Sequence, residues 1–457
     1  MTRLALCLTA ALLGGALALL DGCSSGGAHG NGSSGKGYSA PEGKRPSGTH
    51  VTIHVPADAP TISDAVSVAH PGDLVLVSPG TYHESVRIDT ARVTLRGASR
   101  QKVVIDGRLQ QANGVVVAAP GVAVENLTVE NNTQNGVLVT GSARAVAGLP
   151  GQSGGYDTGD EPVTFLKSFL VSYVTATHNG LYGIYAFSAQ NGVIEYSYAS
   201  GGADSGIYVG QCKPCQVVVR DNVAELNAVG YEGTNASGDM YVVGNRFVGN
   251  RVGLTTNSDH QEKLLPQRGA VVAGNLIADN QQPGTPEQAD GGWGIGIGVD
   301  GGSGNRFVRN RIAGNSDAGF VITATADLPP NGNQITDNTF TGNGVDVGWT
   351  FPNSTHGQGN CLRGNTQHTT VPARIATTAS CPLPSESATP SGTWKAPTAP
   401  AGIPFTDVAA PGPQPQFPNA TTAGATALPA VPVLPTTADV PLPPLSLLAT
   451  GARVQVG

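Results

Sequence analysis

Charge is scarce in this chain of 457 residues: only 12% are Asp, Glu, Lys or Arg, and the formal charge is −7. No basic run is longer than Lys44-Arg45, which argues against a nucleic-acid partner. Long apolar runs are nearly absent. Leu442–Leu448 is interrupted by Pro443-Pro444 and is too short to span a bilayer. Cysteine is limited to six residues, with one CxxC, Cys212-Lys213-Pro214-Cys215. No second CxxC or paired-His motif accompanies it, so zinc is not indicated, and no thioredoxin-like βαβ context surrounds it. Aromatics make up 5% of the chain, so a place where they gather is informative.

What the chain has is glycine (63 residues), proline (33) and a repeat. Asn–x4–Asn recurs at Asn126/Asn131, Asn222/Asn227, Asn245/Asn250, Asn275/Asn280, Asn310/Asn315 and Asn338/Asn343. Most pairs precede a Gly and a short apolar strand, as in Gly253-Leu254-Thr255 and Gly319-Phe320-Val321-Ile322. Strand-sized units at this spacing, separated by Gly, Asn and Asp turns, predict an all-β, right-handed parallel β-helix solenoid with three strands per coil. About 10 coils at ~4.8 Å each would give a body about 50 Å long. The Asn residues suit left-handed turn positions, and stacked coils place their amides one strand spacing apart, so they are expected to form hydrogen-bonded ladders.

Residues 1–22 carry Arg3 followed by the apolar stretch Leu4–Leu20, the pattern of an export signal. Leu20-Asp21-Gly22-Cys23 resembles a bacterial lipobox, with Asp21 departing from the pattern. That resemblance implies lipidation of Cys23, a lipid anchor on the outer face of the cytoplasmic membrane, and a Gly/Ser-rich tether over 23–50. Among the remaining cysteines, disulfides Cys212–Cys215 and Cys361–Cys381 are expected in an oxidising compartment. The ordered β-helix with its caps is expected over 51–381. A short capping helix begins after Thr61, whose hydroxyl can cap it with Asp64 in the first turn. From 382 to 457 the composition is rich in Pro, Ala and Thr and predicts a disordered or extended tail. Insertions at 142–162, 259–268 and 281–293 interrupt the coils and are expected as loops at a binding face.

The segments VPADAPTISDAV, PGDLVLVSPGTYHESV and VTLRG resemble the opening of bacterial pectin-lyase-like β-helix proteins. Residues 205–250 resemble exported β-helix repeat proteins, often lipoproteins, without a settled activity. The resemblance implies the fold over roughly 51–365, and its family activities can be tested on the motifs. Gly80-Thr81-Tyr82-His83-Glu84 matches a pectin-methylesterase element, but QDTL-like and DFIFG-like elements are absent. The polygalacturonase NTD, DD, GHG and RIK set is also absent. No carboxylate cluster indicates Ca²⁺, so no cofactor is expected, and GTYHE reads as a structural turn. Copper-linked exported β-helix proteins leave a metal role open for the CxxC.

Aligning the Gly registers puts Tyr185, Tyr208, Glu232 and Thr255 in one outward column, with Gln211, Asn235 and Asn257 near its far end. Two readings stand: a glycan-binding strip in which Tyr rings stack on sugars, or an ordinary ladder of exposed side chains. His178, Asp204, Glu232, Asp259 and His260 are the acid/base candidates, with Glu232 the most suggestive because it replaces Tyr in the column. The expected function is a membrane-anchored, monomeric protein that binds an extended polysaccharide, with modification of it by lyase, epimerase or hydrolase chemistry left open. The alternatives are an envelope scaffold that docks a protein, or a CxxC-dependent metal handler.

Overall fold

The computed structural model describes residues 49–454 except 144, 146–161, 326 and 352–354. The export signal, Cys23 and nearly all of the tether lie outside the described residues, as does most of the insertion at 142–162. The described chain forms a parallel β-helix. Its strands fall into three parallel sheets of 12, 11 and 10 strands, so the predicted coil number fits. The first sheet starts at Thr52–Val55, the second at Val86–Ile88 and the third at Gly80–Tyr82. Side chains on the inward face of the strands are buried, and Val, Ile, Leu and Phe fill the interior.

The ladders form as expected. Asn222, Asn245, Asn275, Asn310 and Asn338 each pass an Nδ2–H to the next Oδ1 at 2.9–3.0 Å, ending on Asn365. Asn227, Asn250, Asn280 and Asn315 do the same at a second corner at 3.0–3.2 Å, ending on Asn343. Asn305, Asn333 and Asn360 make part of a third ladder. Each Oδ1 also accepts the preceding coil's backbone N–H, as Asn275 does from Asn245 at 2.9 Å. The second Nδ2 proton goes to a backbone carbonyl, Val242 O for Asn275 at 2.8 Å.

The left-handed turn position differs from expectation. It lies one residue before each ladder Asn, at Asp221, Leu226, Gly244, Gly249, Gly274 and Asp279. Asn126 and Asn131 occupy this strained position themselves, at φ 55° and 57°. In that coil Asn132 takes the ladder place and bonds Asn179 at 2.9 Å. Asn serves both places because its amide bonds laterally and its backbone tolerates positive φ.

The helix Ile62–Val68 covers the first coil. Thr61 Oγ1 accepts from Asp64 N at 3.0 Å, and the Glu84 carboxylate takes Ile62 N at 3.0 Å and Ser63 N at 2.8 Å. Glu84 is therefore a helix-capping residue, which accounts for the GTYHE element. Both expected disulfides are formed, Cys212–Cys215 and Cys361–Cys381.

The tail is extended. It has almost no regular structure, yet it follows a defined path along the solenoid. Proline removes backbone donors, so solenoid arginines supply them. Arg96 donates to Ala423 O and Gly424 O, Arg100 to Pro415 O, Arg251 to Pro400 O, and Arg246 to Gly451 O, at 2.8–3.1 Å. The buried ion pair Arg96–Glu125, 2.7 Å, is completed by Thr426 Oγ1 on the other carboxylate oxygen. Val440 and Leu434 cover outward apolar side chains of the first sheet, including Val218 and Val271. Val454, Leu447 and Leu448 cover Val248 and Leu276 on the third.

Asn275→Ala should lower stability by roughly 1–3 kcal/mol for each buried group left without a partner. Asn245 loses its acceptor for both N–H and Nδ2. Urea unfolding measures this, and a change below 0.5 kcal/mol, ~the noise of a surface substitution, would contradict the ladder's role.

Candidate functional site

The predicted column exists on the second sheet. Tyr185 pairs with Tyr208, Tyr208 with Glu232, Glu232 with Thr255, and Thr255 with Gly298. Val321 and Gly348 continue it.

Its two tyrosines are not a sugar platform. Tyr185 is 1% exposed and Tyr208 4%, in a cluster with Tyr182, Leu138, Phe187 and Ala145. The Tyr182 ring lies 4.5 Å from Tyr185 and 4.7 Å from Tyr208 between centroids. The register is right, and burial by neighbouring segments corrects the stacking role. Gln211 is also buried, and its amide is spent on Ser188 Oγ at 3.0 Å and Lys263 N at 2.8 Å. Asn235 donates to Asp259 O at 2.7 Å and so holds the loop over 259–268. His178 lies on the third sheet, bonded to Val408 O at 2.8 Å, apart from the column. His260 is exposed and paired with Asp327 at 2.8 Å. Asp259 caps its own loop by accepting from Gln261 N at 2.7 Å.

Glu232 does find a second carboxyl. Ser205 Oγ is 2.8 Å from Glu232 Oε2 and 3.2 Å from Asp204 Oδ1. One hydroxyl has one proton to donate. To satisfy both contacts, one carboxyl must carry a proton and donate it. Burial first, and then the charge of Asp204, pushes the Glu232 carboxyl up to about 8. Burial also raises Asp204, whose carboxyl bonds Tyr182 and Glu232. Thr234 Oγ1 donates to Glu232 Oε1 at 3.1 Å. Asp204 and Glu232 are both half-buried.

A third acid, Glu262, was not foreseen. It comes from the loop over 259–268 and is 3% exposed. It takes a short hydrogen bond from Tyr208 Oη, and burial raises its carboxyl well above the usual range. Gly210 makes room for it, since a Cβ there would meet Glu262 Oε1 at 3.0 Å. An insertion has no repeat register, so only the tendency of loops to sit at sites pointed this way.

Beyond Thr255 the column opens. A Cβ on Gly298 would meet only Thr255 Cγ2, at 3.4 Å. The far end is closed by Trp394 of the tail, which lies over Gly348 and beside Val321, with Nε1 2.8 Å from Asp317 Oδ1. Trp394 is half-buried, as is Trp293 in the loop over 281–294, whose ring lies 5.0 Å from the Arg251 guanidinium. The floor thus runs through Glu232, Thr255, Gly298 and Val321, with insertion loops at either end of its strands. Trp394 was missed because it belongs to the tail.

The CxxC is closed as a disulfide, and both sulfurs belong to residues with no exposed surface. Among the described residues no group of three or more His, Cys, Asp or Glu converges as a metal site.

Burial raises the carboxyls of Glu232, Asp204 and Glu262 above their ordinary range, so the folded state binds more protons than the unfolded chain. Stability should therefore fall as pH rises from about 4.5 to about 8. Glu232→Gln should flatten that decline in urea midpoints measured from pH 4.5 to 8.5, whereas parallel curves would contradict the proton-sharing pair.

No curated protein matches the chain. Among solved structures it is similar to the A-module of the mannuronan C-5 epimerase AlgE4 of Azotobacter vinelandii: 15% identity, 66% of this chain and 88% of that one, TM-score 0.46. The AlgE6 A-module of the same organism gives 16%, 67%, 91% and 0.42. Pectate lyase Pel9A gives 14%, 70%, 78% and 0.39. These likenesses concern the fold alone. Over residues 169–368, a stretch that includes Asp204, Glu232 and Glu262, the chain matches the family model described as periplasmic copper-binding protein (NosD).

Proposed function

We propose that the protein is an exported β-helix protein, anchored through Cys23, that binds an extended polysaccharide across the second sheet. The ligand lies on the floor between Glu232 and Trp394, and the Asp204–Glu232 pair serves proton transfer on it. One observation carries this reading: a half-buried carboxyl pair bridged by Ser205 stands at the end of an open floor with a tryptophan at its other end. A scaffold would need the fold but has no use for three carboxyls held above their normal range. The two disulfides and the periplasmic description of the matched family support an extracytoplasmic location.

The chemistry open to such a pair is acid/base hydrolysis, in which the protonated carboxyl gives its proton to the glycosidic oxygen as the C–O bond breaks and the ionised one takes a proton from the attacking water. The residues present do not fit copper. Cys212 and Cys215 are bonded to each other, and the site's acids offer hard oxygen donors where Cu⁺ prefers thiolate or thioether. No step is assigned to that metal.

Affinity electrophoresis in gels containing neutral, amino and acidic polysaccharides tests the reading. At least one polymer should retard the protein. Trp394→Ala and Gly298→Leu should each weaken binding by about tenfold, or roughly 1.4 kcal/mol, without changing Tm much. Retardation by none of the polymers, or full binding by both variants, would reject it.

A further inference from the structure

The floor is rich in acceptors and poor in cations. Asp204, Glu232 and Glu262 stand at one end, and the charges of Asp259 and Asp290 reach them from the flanking loops. Asp300 ends the next strand, where its predecessor Val299 pairs with Thr256. The nearby cations have other engagements. Arg251 lies over Trp293 and donates to Thr285 Oγ1 and Pro400 O. His260 pairs with Asp327. Lys263, itself on the rim loop, also has a partner.

A second observation comes from hydrogen bonding. Glu262 Oε2 and Asn257 Oδ1 are buried and have no hydrogen-bond partner among the described residues, and Asp300 Oδ1 is buried beside Thr325. The amide oxygen is an acceptor, and the two carboxyls become acceptors when ionised. The three groups follow one another along the column beside Glu232, Thr255 and Gly298, with Glu262 over Gly210, then Asn257 and Asp300 on later coils. Buried acceptors left open cost free energy, and what satisfies them is a ligand with donors. An ammonium has three donors, no acceptor and the missing charge. A uronate would instead bring a carboxylate among carboxylates, with no arginine free to face it.

Building on the glycan-binding reading, we propose that the ligand is a glycan bearing free amines, a polymer of amino sugars, whose ammonium groups bond Glu232, Glu262 and the acceptors beside them. Among the described residues, the groups facing Glu232 are Asp204, Glu262, Ser205, Thr234, Asn257 and the buried Tyr208 and Tyr231. None is a cation. An ammonium arriving here favours the ionised carboxyl, so binding expels a proton.

Calorimetry on the full chain tests this with three oligosaccharides: a glucosamine oligomer with free amines, the same oligomer N-acetylated, and an oligouronate. Titrations at pH 6.5 in two buffers of different ionisation enthalpy read the proton. The amine oligomer should bind at least about tenfold tighter than the N-acetylated one and release protons. Glu262→Gln, which keeps an acceptor for Tyr208, should narrow that preference. Gly298→Leu retains every carboxyl and should lose binding, and unchanged binding there would mean surface adsorption of a polycation and overturn the inference. Equal affinity for the N-acetylated oligomer, or preference for the oligouronate, overturns the inference and leaves glycan binding standing. Binding of none of the three overturns the inference, and no retardation in the wider gel panel overturns the binding reading too.

Discussion

A buried asparagine amide needs four hydrogen bonds, and in this molecule its best partner is the same amide one coil away. Asn275 meets the demand in full: it accepts from Asn245 N and Nδ2, and it donates to Asn310 and Val242. The arrangement works only if each coil repeats the corner geometry of the last. Extra residues therefore have to leave the coil as loops, as those over 259–268 and 281–294 do between Asn245 and Asn310. The ladders that look purely structural thus decide where functional side chains arise. Glu262 and Trp293 stand on segments that the ladders push out of the coil.

The same constraint explains why Glu232 is informative. Along a regular outward column, neighbours one coil apart interact as cross-strand pairs. Tyr185 and Tyr208 do so with a 5.0 Å edge-to-face contact. Glu232 breaks the series at a place where Tyr208, Tyr182 and Asp204 already exclude much of the solvent. A carboxylate there gains no packing and meets a second acid. Burying like charges together raises their proton affinity and costs stability, and the ladders supply a rigid frame on which such a cost can be borne.

The ladders, their spacing and the outward column were legible in the sequence because they are periodic. The left-handed position was read one residue late, since Asn126 and Asn131 show Asn where later coils show Asp221, Leu226 or Gly244. Only geometry distinguishes an amide that bonds sideways from a backbone that turns. The column's membership was visible, but its accessibility was not. What covers Tyr185 and Tyr208 includes Tyr182 and Ala145, which lie outside the column. Asp204 was visible as an acid, whereas its approach to Glu232 depends on Ser205 lying between them. Glu262 and Trp394 carry no register at all.

The tail shows how composition misleads about order. A Pro-rich strand cannot join a sheet as an equal, because too many of its donors are missing. It can still lie on one if the sheet's side chains donate to its carbonyls. Arg96, Arg100, Arg246 and Arg251 do this at points that span much of the solenoid. The tail covers outward apolar columns on the first and third sheets, faces that would otherwise compete for sugars or for other chains. On the second sheet it touches the far end, where Trp394 closes the column, and it steadies the loop over 281–294 through Ile403 N and Thr285 O at 3.0 Å. The open stretch from Glu232 to Gly298 is therefore bounded at its far end and along one side by the Pro-rich tail. The site depends on residues about 160 positions apart, such as Glu232 and Trp394, and the arginine-to-carbonyl bonds that anchor the tail are part of what gives that site its shape.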